Sequence, residues 1–328
     1  MTKKVSSICL AVMSFLGLGH SANEIYIANG NSIIKVNQTG TFSNWITGIE
    51  ASAITSDTSG NLYVGGGDGF VEKISPQGTI TLVGTIATSG LPSPSIRGIA
   101  VGINGTVYTG VIGGPNNISV YKIETNGIVN PYAFGLGASL SGMAINASGE
   151  LFVTCQNNIL YKINSSNNIV NFASGFSQLT SVTADLLGNI IVHDIATYGI
   201  NKIYKITPNG AKTLIATINA TTPSGNPTSA GGIAVDNQGN IYASTWGGWG
   251  EYIDKIETNN SVTRYSSGIG GGSMTLISTT QSVPIVQTNT FSLITQRSSD
   301  LTNWVSISTN IITDTNSSSF FRLKIQQQ

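Results

Sequence analysis

One pattern of hydrophobic and polar positions recurs five times along the chain. Each copy consists of a short apolar run, a polar turn that ends in glycine, and a second run in which apolar and polar residues alternate. This order predicts a β-hairpin, because alternation buries one side of each strand and glycine permits the positive φ that a tight turn requires. The copies occupy residues 51–66, 97–110, 141–154, 180–193 and 231–244.

A second motif follows each hairpin, and in it apolar and polar positions alternate around a lysine. The alternation predicts a third strand with one polar side, and the shorter apolar run after it predicts a fourth, outer strand. Four strands within a unit of roughly 40 residues are the architecture of a propeller blade. The lysines at the centre of the motif are Lys73, Lys122, Lys162, Lys205 and Lys255.

Both ends of the repeat region carry part of a sixth blade. Residues 24–30 look like a second strand without a first, and residues 33–40 repeat the lysine motif. Residues 271–278 look like a first strand without a hairpin partner. We therefore expect an all-β, six-bladed β-propeller whose last blade is shared between the two ends, because ring closure removes exposed sheet edges.

The segment GGIAVDNQGNIYAS, followed by IDKIETNN, resembles the NHL repeat consensus, and the similarity recurs through most of residues 24–280. The chain therefore resembles the NHL-repeat six-bladed propellers, which are related to the SMP-30/gluconolactonase-like and TolB-like propellers. This resemblance implies the fold and says little about function. The SMP-30/gluconolactonase group contains metal-dependent lactonases, and the streptogramin lyases are similar propellers with about seven blades.

The N-terminal segment is typical of a secretory signal peptide. Lys3 and Lys4 precede an apolar stretch over residues 5–18 that is too short for a typical spanning helix, and small residues follow it. We assign residues 1–22 to this signal, with a retained anchor helix as the alternative. We expect a secreted, periplasmic or cell-surface protein with no membrane span after cleavage, because no later apolar run is long enough.

Residues 23–280 are the predicted propeller, and residues 281–328 form a different element. This C-terminal stretch contains three alternating runs separated by turns rich in Ser, Asn and Thr, which predicts a small β module. Its pattern, SSDLTNW followed by FFRL, resembles a short tail module at the ends of some secreted bacterial proteins.

Composition narrows the classes of partner. Only 9% of the residues are charged and the formal net charge is zero, so nothing indicates nucleic acid as a partner.

Cys155 is alone once a signal containing Cys9 is removed, so the fold has no intramolecular disulfide and depends on packing. We expect a monomer that binds a protein, a peptide or a glycan.

The two faces of the propeller differ in how freely they can vary. Short, uniform glycine turns between the first and second strands lie on one face, which we call the turn face. The opposite face, which we call the loop face, carries longer loops and the connections between blades, and variable loops on a rigid scaffold are where sites tend to form. The candidate ligand-binding residues there are Arg97, His193, Asp194, Tyr198, Trp246, Trp249, Glu251 and Tyr252.

Each candidate has a structural alternative. Trp246 and Trp249 are suited to stacking on a sugar or peptide, but they are equally suited to fill gaps between glycines. Arg97 is suited to hold an anion over the channel or to pair with a carboxylate. For His193, a hydrogen-bonded surface position is favoured over a role as base or metal ligand. The turn aspartates are expected to bond their own backbone and not a metal; they are Asp57, Asp185 and Asp236.

No catalytic constellation is visible, since His193 is the single histidine after the signal and no G-x-S-x-G elbow occurs. The sequence therefore favours a non-catalytic binding or scaffold propeller, without a cofactor, whose aromatic loop face binds its ligand. The alternative is a lactonase like the SMP-30/gluconolactonase group, which holds a divalent cation such as Ca²⁺ in the channel. A streptogramin-lyase-like enzyme, which uses paired histidines, is a third and weaker interpretation. The candidate cation ligands are Asn29, Asn116, Asn157 and Asp194.

Overall fold

All regular secondary structure in the described part of the chain is β-strand, as the repeat pattern predicts. The chain divides into two compact units: one comprises residues 23–279, and the other comprises residues 1–22 together with residues 280–328. The computed structural model describes residues 8–13, 21–86, 95–112, 118–136, 139–197, 199–219, 229–246, 251–269, 272–280, 289–297 and 305–314.

The strands follow one another with the spacing of the sequence repeat. The first four are β1 (Ile8–Met13), β2 (Ser21–Ala28), β3 (Gly30–Val36) and β4 (Phe42–Ala51). Blade one contains β5 (Ala53–Ser56), β6 (Leu62–Gly65), β7 (Phe70–Ile74) and β8 (Ile80–Thr85). Blade two contains β9 (Ser95–Val101), β10 (Val107–Ile112), β11 (Ile118–Ile123) and β12 (Val129–Phe134). Blade three contains β13 (Leu140–Ile145), β14 (Leu151–Cys155), β15 (Leu160–Ile163) and β16 (Ile169–Ala173).

The remaining strands complete the ring and the second unit. Blade four contains β17 (Leu179–Ala184), β18 (Ile190–Thr197), β19 (Ile200–Ile206) and β20 (Lys212–Asn219). Blade five contains β21 (Ser229–Val235), β22 (Ile241–Trp246), β23 (Tyr252–Ile256) and β24 (Val262–Ser267). The last three strands are β25 (Met274–Thr280), β26 (Asn289–Arg297) and β27 (Val305–Asp314).

Blade six joins the two ends of the propeller unit, as predicted. Its sheet has the strand order β25, β2, β3, β4, so the last strand of the unit supplies the innermost position. The Ala28 amide donates a hydrogen bond to the Ser273 carbonyl at 2.9 Å across this joint. Main-chain pairing therefore closes the ring of six four-stranded antiparallel sheets.

An aspartate and a glycine fix the hairpin between the two inner strands of a blade. In blade five, Asp236 Oδ1 accepts hydrogen bonds from the backbone amides of Gln238 (3.0 Å) and Asn240 (2.8 Å). Gly239 lies in this turn with a φ of 88°, which side chains with a Cβ rarely adopt. The predicted turn role of the aspartates is confirmed, since the same bonds are made by Asp57 and Asp185.

Apolar side chains between adjacent blades form the core of the propeller. Between blades four and five, Ile191 and Ile203 pack against Ile241 and Ala243. Cys155 lies in the corresponding layer between blades two and three, where burial raises the pKa of its thiol to about 12. The thiol is therefore protonated and poorly reactive at neutral pH.

The second unit contains a three-stranded antiparallel sheet with the order β1, β26, β27. Strand β1 comes from the segment predicted to be a signal, and the other two strands come from the predicted C-terminal β module. The signal-peptide assignment stays a prediction. No helix within the described ranges is long and apolar enough to cross a membrane.

Truncation tests the closure of the ring. Because pairing within residues 23–279 closes it, we expect a chain that ends at residue 280 to keep the cooperative thermal unfolding of the propeller. A chain that ends at residue 271 is the matched control, since it lacks β25 and exposes the inner edge of β2. It should melt at a clearly lower temperature in circular dichroism, and equal melting temperatures would contradict closure by β25.

Candidate functional site

The mouth of the central channel on the loop face is surrounded by all of the blades. Each blade places the start of its innermost strand around a cavity of about 410 Å³. These strands are the end members of their sheets, so one edge of each turns N–H and C=O groups toward the channel. The polar side chains in the lining are those of Asn29, Ser52, Arg97, Ser141, Thr180, Ser181 and Ser273.

An apolar waist lies below this polar mouth. Every inner strand contributes one apolar residue to the waist, and most of these residues also line a second cavity on the turn face. A ligand that enters from the loop face therefore meets polar walls first and an apolar constriction below them. The waist residues are Ile54, Ile99, Met143, Val182, Ile233 and Met274.

Arg97 is the one charged side chain among the described residues that line the loop-face mouth. Its side chain is exposed and forms no ion pair with any other residue that the structure describes. The alternative in which Arg97 pairs with a carboxylate therefore has no support in these ranges. An unpaired guanidinium offers a planar set of N–H donors that matches the geometry of an anion such as a carboxylate.

His193 lies inside the propeller, so the interpretation of this residue as a surface group is wrong. Its ring is fully buried, and neither ring nitrogen has a hydrogen-bond partner among the described residues. Burial lowers the pKa of His193 to about 4, although the nearby Gly232 backbone and Asn201 side chain favour the charged form. The imidazole is therefore neutral at physiological pH.

Asp194 has a structural role in blade four. Its carboxylate is buried and accepts hydrogen bonds from the backbone amides of Ser177 (2.9 Å) and Gln178 (2.6 Å). These bonds fix the segment that leads into β17. Because Asp194 bonds this backbone and does not line the channel mouth, it is not placed to bind a cation there.

Two further candidates make contacts within blade five. The Tyr252 ring centroid lies 3.7 Å from the guanidinium carbon of Arg264, and Arg264 Nε donates a hydrogen bond to Asp254 at 2.6 Å. The carbonyl of Glu251 accepts a hydrogen bond from the Gly268 amide at 2.7 Å. Neither Tyr252 nor Glu251 belongs to the described lining of the channel mouth.

Several predicted site residues lie outside the described part of the chain. These residues are Tyr198, Trp249 and Asn116. Trp246 is the last residue of β22, and its side chain also falls outside the described part. The aromatic platform on the loop face therefore stays a prediction.

Among the described residues, the side chains that line the mouth include no carboxylate for a divalent cation. Asn29 lines the mouth, but Asn157 does not, and its side-chain amide donates a hydrogen bond to the Tyr161 hydroxyl at 2.8 Å. The described lining contains a guanidinium and no carboxylate, whereas Ca²⁺ sites are built largely from carboxylate and carbonyl oxygens. The described residues also include no group of three His, Cys, Asp or Glu side chains suited to a metal ion.

Sequence reasoning missed the hydroxyl residues of the mouth. Ser52, Ser141 and Thr180 each stand two positions before the apolar waist residue of their inner strand. Arg97 occupies the same position in blade two. An alignment of the repeats by position would have shown this polar site, because these residues share a position in the repeat although they differ in type.

The turn face carries an exposed apolar pair in blade four. Leu186 and Leu187 occupy the turn of blade four and are 74% and 79% exposed. Together with Leu214 they line an apolar groove between blades four and five. The turn of blade four keeps the predicted length and aspartate hydrogen bonds, so it differs from the other turns in side-chain chemistry and not in geometry.

Comparison with known proteins identifies the fold. No protein-family model matches the chain, and no curated protein sequence matches it. Virginiamycin B lyase from Staphylococcus aureus is 18% identical, with 81% of this chain and 90% of that chain covered and a TM-score of 0.54. A gluconolactonase from Xanthomonas campestris is 16% identical over 66% of this chain and 76% of that chain, with a TM-score of 0.50. The calcium-binding protein regucalcin from Agrobacterium tumefaciens is 14% identical over 65% and 74%, with a TM-score of 0.50.

The chain is a six-bladed β-propeller. Its structural neighbours are of the SMP-30/gluconolactonase and virginiamycin B lyase types. At these identities the likeness shows the fold alone, and the NHL label stays a resemblance. The chemistry of the mouth therefore has to be argued from the residues of this chain.

Removal of the Asp194 carboxylate tests its structural role. Asp194→Ala should lower the free energy of unfolding by about 2–4 kcal/mol, because two backbone amides lose a charged acceptor. Asn157→Ala is the control, since it removes two exposed side-chain hydrogen bonds and should cost less than about 1 kcal/mol. Urea unfolding measures both values. Equally small losses in the two variants would show that Asp194 does not hold this segment.

The buried, neutral His193 should make stability depend on pH. The unfolded chain binds a proton near pH 6.5, the ordinary value for histidine, whereas the folded chain resists protonation until the pH reaches about 4. Stability therefore falls as the pH decreases through this window, by on the order of 3 kcal/mol from this residue. In His193→Phe the urea unfolding free energy should decline less steeply over the same window. Parallel profiles for the two proteins would show that His193 titrates like an exposed histidine.

Proposed function

We propose that this protein is a non-catalytic binding propeller, acting outside the cytoplasm, that holds a carboxylate-bearing ligand at the loop-face mouth of its channel. The observation that carries the proposal is Arg97, an exposed guanidinium without an ion-pair partner in the described ranges, set in a lining that is otherwise uncharged there. Hydrogen bonds between a guanidinium and a carboxylate are short, directional and stronger than those between neutral groups.

The backbone supports the same kind of ligand. The inner strands β5, β9, β13, β17, β21 and β25 are end members of their sheets, so their free edges present amide donors and carbonyl acceptors to the channel. Serine and threonine side chains stand between these edges at the mouth; the hydroxyls of Ser141 and Thr180 donate to the carbonyls of Leu179 (2.9 Å) and His193 (3.2 Å), so their oxygens serve a ligand as acceptors. A ligand with one anionic group and several neutral polar groups would find partners for all of them.

We expect the predicted aromatic residues to add an outer platform to this site. Trp246 is the last residue of β22, and Trp249 follows it three positions later, outside the described residues. Aromatic side chains stack on sugars and on peptide side chains, which adds contact area without adding charge. Our proposal is that Arg97 supplies the anion contact and that the tryptophans supply the apolar one.

Lactone hydrolysis is the competing function, because a gluconolactonase shares the fold. Such a reaction in the channel requires a group that activates water or polarises the carbonyl, for which a metal ion or a general base serves. The described mouth offers a guanidinium, hydroxyls and one asparagine, and His193 is not among the lining residues. These donors support binding of an anion better than they support the hydrolytic reaction.

Substitution of Arg97 tests the proposal. Arg97→Gln should weaken binding of an acidic ligand by about 10- to 100-fold, because hydrogen bonds to charged groups contribute roughly 1.5–3 kcal/mol. Lys122→Gln is the matched control, since it also removes one positive charge but from an ion pair with Glu124 outside the mouth. An array of acidic and neutral glycans and peptides selects the probe, and isothermal titration calorimetry measures its Kd.

The outcomes of this experiment separate the alternatives. Equal losses in the two variants would indicate a general effect of charge and would contradict a specific role for Arg97. Tight binding of a neutral probe that is insensitive to Arg97→Gln would place the ligand elsewhere. Hydrolysis of a lactone by the wild-type protein that depends on added Ca²⁺ or Zn²⁺ would replace the binding proposal with the lactonase alternative.

A further inference from the structure

A buried polar layer lies between blades four and five, beside the channel mouth. It consists of the side chains of Ser181, His193, Asn201 and Thr245. The last three residues are completely buried, and the hydroxyl of Ser181 is buried as well. Within the described ranges, six polar atoms of this layer have no partner in hydrogen-bond geometry, although the Asn201 side chain and the Gly232 backbone lie near the His193 ring. These atoms are two ring nitrogens, both amide atoms of the asparagine and two hydroxyl oxygens.

Strand register places three of these side chains on one side of blade four. Ser181 stands directly opposite His193 in the pairing of β17 with β18, and directly opposite residues share one side of a sheet. Asn201 stands two residues before Ile203, which is the partner of His193 in β19. Because side chains alternate along a strand, Asn201 lies on the same side as His193.

The neighbouring apolar layer shows that this side faces blade five. Ile191 stands two residues before His193 in β18, and Ile203 stands opposite His193 in β19, so both lie on this side of the sheet. Both pack against Ile241 and Ala243 of blade five. Thr245 stands two residues after Ala243 in β22, so its side chain faces blade four. The polar layer therefore continues the apolar interface between the two blades toward the loop face.

The other blades do not repeat this arrangement. Where the corresponding residue is polar, its hydroxyl has partners: Thr154 Oγ1 accepts a hydrogen bond from Ser141 at 3.1 Å, and Ser244 Oγ accepts one from the Gly232 amide at 2.8 Å. The position of His193 in the repeat is held elsewhere by Ala28, Gly65, Gly110, Thr154 and Ser244. Blade four alone places a large polar side chain there.

We propose that this layer is a polar chamber that binds ordered water molecules. Buried polar atoms without partners lose their hydration and gain nothing in return, so a cluster of them is stable only with a shared partner. Water suits the cluster because it donates and accepts hydrogen bonds and is held by about two to four polar groups. Neutral His193 offers one donor and one acceptor, and Asn201 offers both kinds.

Ser181 connects the chamber to the channel. It belongs to the lining of the mouth, while its hydroxyl oxygen is buried on the side of His193. Bound water therefore forms a second polar layer behind one wall of the mouth, between blades four and five. This property is independent of which ligand the mouth binds.

A pair of isosteric substitutions tests for the water. Thr245→Val removes a hydroxyl that contacts the bound water, so its melting temperature should fall by about 2–4 °C. Thr109→Val is the matched control, because Thr109 Oγ1 is also buried without a described partner but stands between Val107 and Val111 in an apolar cluster. A lone hydroxyl offers too few partners to hold water, so this variant should melt at the same or a higher temperature. Equal or opposite shifts would overturn the proposal.

Nuclear magnetic resonance observes the water directly. The chain contains two histidines, so labelling histidine with ¹⁵N and comparison with His193→Phe identifies the signals of the His193 ring. The ring N–H of the full-length protein should show cross-relaxation with water molecules that stay bound for longer than nanoseconds. A ring N–H without contact to bound water would show that the chamber is dry and would overturn the proposal even if Thr245→Val is destabilising.

Discussion

Main-chain pairing between the two ends of the repeat region is the interaction on which the propeller depends. The bond from the Ala28 amide to the Ser273 carbonyl joins strands that are far apart in the chain. It completes the sixth sheet, so that every blade has a neighbour on both sides and can bury both of its apolar layers. Without a disulfide in the described part of the chain, this pairing and the packing between blades carry the stability of the ring.

Closure also creates the channel and its chemistry. Each inner strand gives one edge to its own sheet and leaves the other edge toward the axis, where backbone donors and acceptors line the channel. Packing requires the apolar waist residues. The positions two residues before them line the mouth, so side chains there are free to vary. This position is Arg97 in blade two, serine in blades one and three, and threonine in blade four.

His193 and Asp194 are both polar and buried, but their hydrogen-bond surroundings differ. Successive residues on a strand point to opposite sides of the sheet, so these neighbours face different surroundings. Asp194 meets the backbone amides of Ser177 and Gln178, which satisfy its charge. His193 meets the facing surface of blade five, where burial keeps it neutral and no described group completes its hydrogen bonds. Two residues that are adjacent in the sequence therefore have different roles. Asp194 holds the backbone before β17, and His193 belongs to the proposed polar chamber.

The sequence by itself determined the blades, because a hairpin is a local structure whose alternation and turn glycine lie within about fifteen residues. The register of the repeats and the sharing of the sixth blade followed from the same local signals, and the structure confirms both. Which of these residues share one site was decided only by the tertiary structure. Arg97, Ser141 and Thr180 stand in different blades and meet because the ring closes. The burial of His193 depends on the surface that blade five presents to it, which no local pattern encodes, since packing between blades joins residues that are distant in the chain.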